Sequence, residues 1–164
     1  MNKKTQQFGV SLIELMIVIG IIGILTMWVG PAWRGAMQRD ALATTTNNFI
    51  QAVRDTRMEA KERAAGARLV AKGAAGSENW AEGWRIVDIN NNIIRDYPAP
   101  HSTIDLDADG GEIILSFNRD GYREATGKTE FTVCDSTESG EKGRQITLSA
   151  LGQIKITKSD YTCP

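Results

Sequence analysis

Hydrophobic and polar positions divide the chain sharply. A polar, basic start, Lys3-Lys4-Thr5-Gln6-Gln7, gives way to an apolar run that lasts to Gly30, and between Val10 and Gly30 the only ionisable side chain is Glu14. A helix over these residues rises about 30 Å, the thickness of a hydrocarbon core, so the pattern predicts a membrane-spanning helix over 10–30. A carboxylate at that depth costs about 3 kcal/mol or more unless it is partnered, which marks Glu14 as functional. The plainer alternative is a single-pass anchor whose Glu14 snorkels to the interface. No Ala-x-Ala cleavage site follows residue 25, so the apolar run is expected to stay on the chain. Lys3 and Lys4 put the short start on the cytoplasmic side and everything beyond the span outside.

Gly30-Pro31 is expected to interrupt or kink the helix, because proline removes one backbone donor. Beyond it Leu42, Phe49, Val53, Thr56 and Ala60 recur at helical spacing, with Gln38, Arg39, Asp40, Asn47, Gln51, Arg54, Asp55 and Glu62 as polar positions. This predicts an amphipathic continuation over 31–65 that lays its apolar stripe on a globular domain. After Gly66 the period shortens to that of strands, in runs at 68–71, 84–89, 93–97, 113–117, 129–134, 144–149 and 153–157. Asn90-Asn91-Asn92 and Asn118-Arg119-Asp120-Gly121 read as hairpin turns, and 72–79, 98–103 and 135–143 as loops. The expected fold class is α+β: a long N-terminal helix packed on an antiparallel β domain over 66–164.

Gly9 followed by Val10-Ser11-Leu12-Ile13-Glu14-Leu15 resembles the processing site of type IV prepilins and pseudopilins. The resemblance implies a leader over 1–9, cleavage between Gly9 and Val10 by the prepilin peptidase, and methylation of the new amino terminus on Val10. Phe is usual where Val10 stands, so the match is to Gly9 and Glu14 with a departure at Val10. It also implies that Glu14 pairs with the free terminus of a neighbouring subunit during assembly, an opposite charge replacing lost water. Pro31 extends the match.

A narrower resemblance runs through the rest of the chain. Arg57, Glu59, Ala60 and Arg63, then Trp80, Gly83-Trp84 and Asp88, Phe117-Asn118 with Gly121, and Arg144-Gln145-Ile146-Thr147-Leu148-Ser149 with Gly152 together resemble the H-type minor pseudopilins and the FimT/FimU minor pilins. The implied function is that of a minor pilin in a tip or priming complex that starts type IV pilus assembly. Implied partners are other minor and major pilins or pseudopilins, the peptidase and an inner-membrane assembly platform. The implied place is the inner membrane, with the C-terminal domain in the periplasm and later at a filament tip. Two alternatives stay open: an H-type pseudopilin of a type II secretion system, and a minor pilin that binds DNA during uptake.

Composition trims these readings. Loss of residues 1–9 takes Lys3 and Lys4 from 19 basic residues, leaving 17 against 20 acidic, which does not advertise a nucleic-acid binder. Some FimT-type relatives bind DNA through a basic stretch after the glycine that matches Gly152. Here Arg144, Lys155 and Lys158, with Lys142, are the candidate DNA contacts, but Glu138, Glu141 and Asp160 lie close in sequence and a solvated strand face fits better. The two cysteines, Cys134 and Cys163, stand on the exported side without Cys-x-x-Cys spacing and read as one disulfide. Closing its 28-residue loop is worth about 3.5 kcal/mol in the chain-entropy account.

Candidate chemistry is sparse. Asp105-Leu106-Asp107-Ala108-Asp109-Gly110 resembles half an EF-hand loop, but Ser116 stands where a bidentate Glu is needed, leaving only a looser Ca²⁺ site on Asp105, Asp107, Asp109 or Glu112. His101 is the only histidine and no Gly-rich phosphate loop follows a strand, so neither an enzyme nor a cofactor is expected. Trp80, Trp84, Phe117 and Phe131 are read as core, and Gly83 and Gly121 as turn glycines.

Overall fold

The computed structural model describes residues 11–74, 79–137 and 142–163; the side chains at 27–34, 142, 158 and 159 are not among those described. Two compact units divide the chain, one up to Met37 and one from Gln38.

Helix α1, Leu12–Glu62, contributes to both units. In the first, the helix passes through Gly30-Pro31 without a break, so the interruption expected there is absent. A proline costs a helix interior one hydrogen bond, and the turns on either side carry the helix across it. The large apolar side chains between Leu12 and Leu25 are 47% to 76% exposed on the isolated chain. Among the described residues no helix is long and apolar enough to cross a membrane.

In the second unit the helical stripe is buried as its spacing predicts. Leu42, Phe49, Val53, Thr56 and Ala60 all lie in the interior. The buried threonines on this face keep their hydroxyls satisfied within the helix: Thr46 Oγ1 donates to the Leu42 carbonyl at 2.6 Å and Thr56 Oγ1 to the Ala52 carbonyl at 2.7 Å. Asp55, expected among the solvated positions, is instead buried. The helix ends at Glu62, three residues before the predicted boundary, and Ala64 (φ +51°) and Gly66 (φ +85°) turn the chain away. A Cβ at Gly66 would lie 2.9 Å from the Phe117 carbonyl oxygen, so this turn brings the chain that follows it close to Phe117.

Eight strands form two antiparallel four-stranded sheets. The first contains β1 (Ala67–Lys72), β2 (Asn79–Val87), β3 (Ile93–Tyr97) and β5 (Ile114–Phe117) in the order β3-β2-β1-β5. The second contains β4 (Ile104–Ala108), β6 (Thr129–Asp135), β7 (Lys142–Leu148) and β8 (Ile154–Thr162) in the order β4-β6-β7-β8. No strand is predicted where β4 lies, its Asp105 and Asp107 being weighed only as cation ligands, and β8 runs five residues past its predicted end. Both are edge strands, where one face and one backbone edge meet water and acidic or basic residues are tolerated.

Helix and sheets meet at Phe49. Its ring packs edge-on to Trp80 and Trp84 of β2, with centroids 5.3 and 5.4 Å away, and against Phe131 of β6 at 4.8 Å. The aromatic set is therefore core. The Trp80 indole N–H donates to the Glu112 carbonyl at 2.7 Å, whereas the buried Trp84 indole N–H finds no acceptor among the described residues.

Gly121 is a turn glycine as expected, with φ +75° and its N–H on the Asn118 carbonyl at 2.8 Å. Gly83 has the expected positive φ, +93°, but lies inside β2, not in a turn, at the point where the pairing with β1 jumps from Ala71↔Trp84 to Lys72↔Asn79. A Cβ there would sit 2.8 Å from the carbonyl carbon of Pro98, so a bulge and a crossing backbone call for this glycine.

Candidate assembly site

The first turn of α1 holds Glu14, and the Leu15 N–H reaches back to the Ser11 carbonyl at 3.1 Å. Unsatisfied N–H groups give this end of a helix a partial positive charge that favours an anion by a few tenths to about 1 kcal/mol. Glu14 is exposed, and among the described residues no ion pair reaches it. Apolar side chains surround it on every side of the helix, a pattern typical of a helix covered by lipid or by neighbouring chains. Gly9 and Val10 lie outside the described residues, as does the Pro31 side chain.

At the other end of the chain Cys134 in β6 bonds Cys163 just after β8, with a Cα–Cα distance of 5.8 Å. Strand β7 lies between these two strands, so the bridge staples the last edge strand to the interior of its sheet. It passes at Gly143: a Cβ there would lie 2.5 Å from Cys163 Sγ and 2.9 Å from Cys134 Sγ.

A polar clasp joins α1 to the edge strand β3. Buried Asp55 accepts from Arg95 Nη1, from the Tyr97 hydroxyl at 2.9 Å and from Gln51 Nε2 at 2.7 Å. Burial raises the Tyr97 hydroxyl above its ordinary value; the Arg95 hydrogen bond opposes this and the Asp55 carboxylate adds to it. A second buried group, Arg123, is held by Glu112, Thr129 and the Gly127 carbonyl. Sequence spacing could not have found either cluster, since their members meet only in the folded chain.

The candidate cation ligands do not converge. Asp105 and Asp107 share the exposed face of β4, and burial first, then the Asp105 charge, pushes the Asp107 carboxyl up. Among the described residues no group of three or more carboxylate, cysteine or histidine side chains is placed to hold a metal ion.

The basic candidates are split. Arg144 stands opposite Val133 on β6, Lys155 of β8 opposite Thr147, and Lys158 opposite Gln145, with the Lys158 side chain outside the described residues. Lys155 instead shares a surface groove with Arg54 and Arg57 of α1, which the sequence reading had placed on the polar helix face and in the family pattern.

Comparisons with known proteins fit this arrangement. The family described as Type II transport protein GspH matches residues 45–152, and the prokaryotic N-terminal methylation motif matches residues 4–30. No curated protein matches. Crystal structures of the type IV minor pilin FimU from Pseudomonas aeruginosa share the fold. One superposes with a TM-score of 0.65 at 18% identity, covering 77% of this chain and 95% of that one; another crystal form gives 0.62 at 17%, covering 74% and 96%. The GspH match spans the C-terminal part of α1, from residue 45, and seven of the eight strands, and the methylation motif covers the apolar start with Glu14. The chain thus belongs to the GspH family of pilin-like proteins, structural subunits whose amino-terminal motif implies peptidase processing and a membrane-anchored place in a pilus or pseudopilus.

Proposed function

We propose that this protein is a minor pilin that joins other minor subunits in an inner-membrane priming complex and stays at the tip of the filament it starts. One observation carries the reading: a methylation motif and a lone carboxylate in the first turn of an exposed apolar helix precede a GspH-type β domain. In this account the peptidase cuts between Gly9 and Val10 and methylates Val10. Residues 10–30 hold the subunit in the inner membrane of a Gram-negative-type envelope and then enter the helical core of the filament. Glu14 sets the register there by pairing with the amino terminus of a neighbour, where an unpaired carboxylate would be costly. Pro31 marks the exit from the apolar segment, and the β domain faces the periplasm and meets partner subunits. Filament growth takes its energy from the assembly platform.

The family description favours a second reading, an H-type pseudopilin in a secretion filament, which uses the same physics to push folded cargo. Deleting the gene separates the two. The first reading expects loss of surface pili with secretion intact, restored by the wild-type chain; loss of secretion with pili intact would transfer the protein to the second.

A further inference from the structure

The groove shared by α1 and the β7–β8 turn has no role in the assembly account above. It holds about 460 Å³ and is lined by Arg54 and Arg57 from the helix, Thr147 and Ser149 from β7 and its end, and Gln153 and Lys155 beyond the turn. Arg54 and Arg57 are one helical turn apart and so lie on the same face. Lys61 continues that row, and the stems of Arg57 and Lys61 both pack on Gly121. Among the described residues no carboxylate lines the groove, and no ion pair engages Arg54, Arg57, Lys61 or Lys155. Arg57 Nε is buried and finds no hydrogen-bond acceptor among the described residues. Ser149 Oγ already accepts from the Gln153 N–H at 3.1 Å, which leaves its hydroxyl proton free to donate. The groove therefore offers donors and positive charge to an acceptor that the described chain does not supply.

We infer that this groove is a docking site for a carboxylate on an acidic segment of a partner protein. Its size suits one or two side chains and not a nucleic-acid strand, which needs a longer track of cations. The whole chain carries a net charge of −1, so it has no general field to draw in a polyanion. Apolar contact area lies close by. Leu151 and Tyr122, 60% and 50% exposed, sit in the two turns that abut where Gly152 meets the Gly121 carbonyl. Arginine beside exposed tyrosine is a pairing enriched in protein interfaces, and Leu151 adds apolar area. The inference rests on the filament reading only in taking the partner to be a protein.

The test uses the full chain in zwitterionic nanodiscs and a fluorescent peptide of alternating glutamate and glycine, with a glutamine-for-glutamate counterpart and a single-stranded DNA of equal charge. Saturable binding of the glutamate peptide is expected, absent for the glutamine peptide. It should weaken about tenfold or more in Arg54→Gln with Arg57→Gln, as hydrogen bonds to charged groups imply, and persist in Arg54→Lys with Arg57→Lys. Lys155→Ala, an exposed change on an edge strand, should weaken binding without touching the core. Equal binding by wild type and all variants, or no binding by wild type, would overturn the site. Tighter binding of the DNA through the same residues would make it a nucleic-acid site instead. The incorporation of subunits through Glu14 is independent of every one of these outcomes.

Discussion

Gly143 and Tyr97 show how single atoms govern the two ends of the β domain. At Gly143 a methyl group would meet Cys163 Sγ and the Val133 carbonyl oxygen, both at 2.5 Å, so neither the bridge nor the β6–β7 pairing could stay in place. Gly143→Ala should lower stability by about 1–3 kcal/mol, the usual penalty for overpacking, in denaturant titrations of the oxidised protein. Unchanged stability with the bridge intact would show that the close approach is not required. Tyr97 gives a pH signature. Because burial raises its hydroxyl, the folded chain holds that proton more tightly than the unfolded chain does. That contribution is complete below the unfolded value, and it is lost as pH rises through about 10 towards the raised folded value. Tyr97→Phe should cost about 1 kcal/mol near neutrality through the lost hydrogen bond to Asp55, but flatten the decline above pH 10. Parallel alkaline declines in the two proteins would refute the assignment.

Among the elements, the C-terminal part of α1 packs on both sheets through Phe49, whose ring touches β2 of one sheet and β6 of the other. Phe49→Ala should cost about 3–5 kcal/mol and alter the emission of Trp80 and Trp84; a loss below 1 kcal/mol would mean that another contact fixes the helix. This element was legible in sequence because a 3.6-residue period leaves the same face inward for several turns. Leu42, Phe49, Val53, Thr56 and Ala60 are read and buried alike. Asp55 was not legible, since Arg95 and Tyr97, the partners that make its burial tolerable, lie about forty residues away. Strand β4 was missed because its Ile-Asp-Leu-Asp-Ala alternation carries an Asp at every outward position, which also matches the spacing of a calcium loop. The alternation itself was the signal: Ile104 and Leu106 face inward, and an edge strand tolerates carboxylates on its open side. The cationic groove stayed hidden for a related reason, as Lys155 joins Arg54 and Arg57 only once β8 has folded beside α1.

For the whole molecule, the account divides labour along the chain. In the proposed function the apolar helix with its one carboxylate serves anchoring and assembly, and the disulfide-stapled β domain of the GspH family serves recognition. The central claim is that Glu14 acts in register and not in anchoring, and the most direct measurement is incorporation of Glu14→Ala into sheared filaments. Removing a carboxylate from an apolar segment should favour membrane insertion, so the variant is expected in the inner membrane, cleaved after Gly9, at wild-type abundance. It should nevertheless be depleted about tenfold or more from filaments, as loss of a charged partner in a low-dielectric core implies. Wild-type incorporation of a processed, membrane-embedded Glu14→Ala chain would contradict the account.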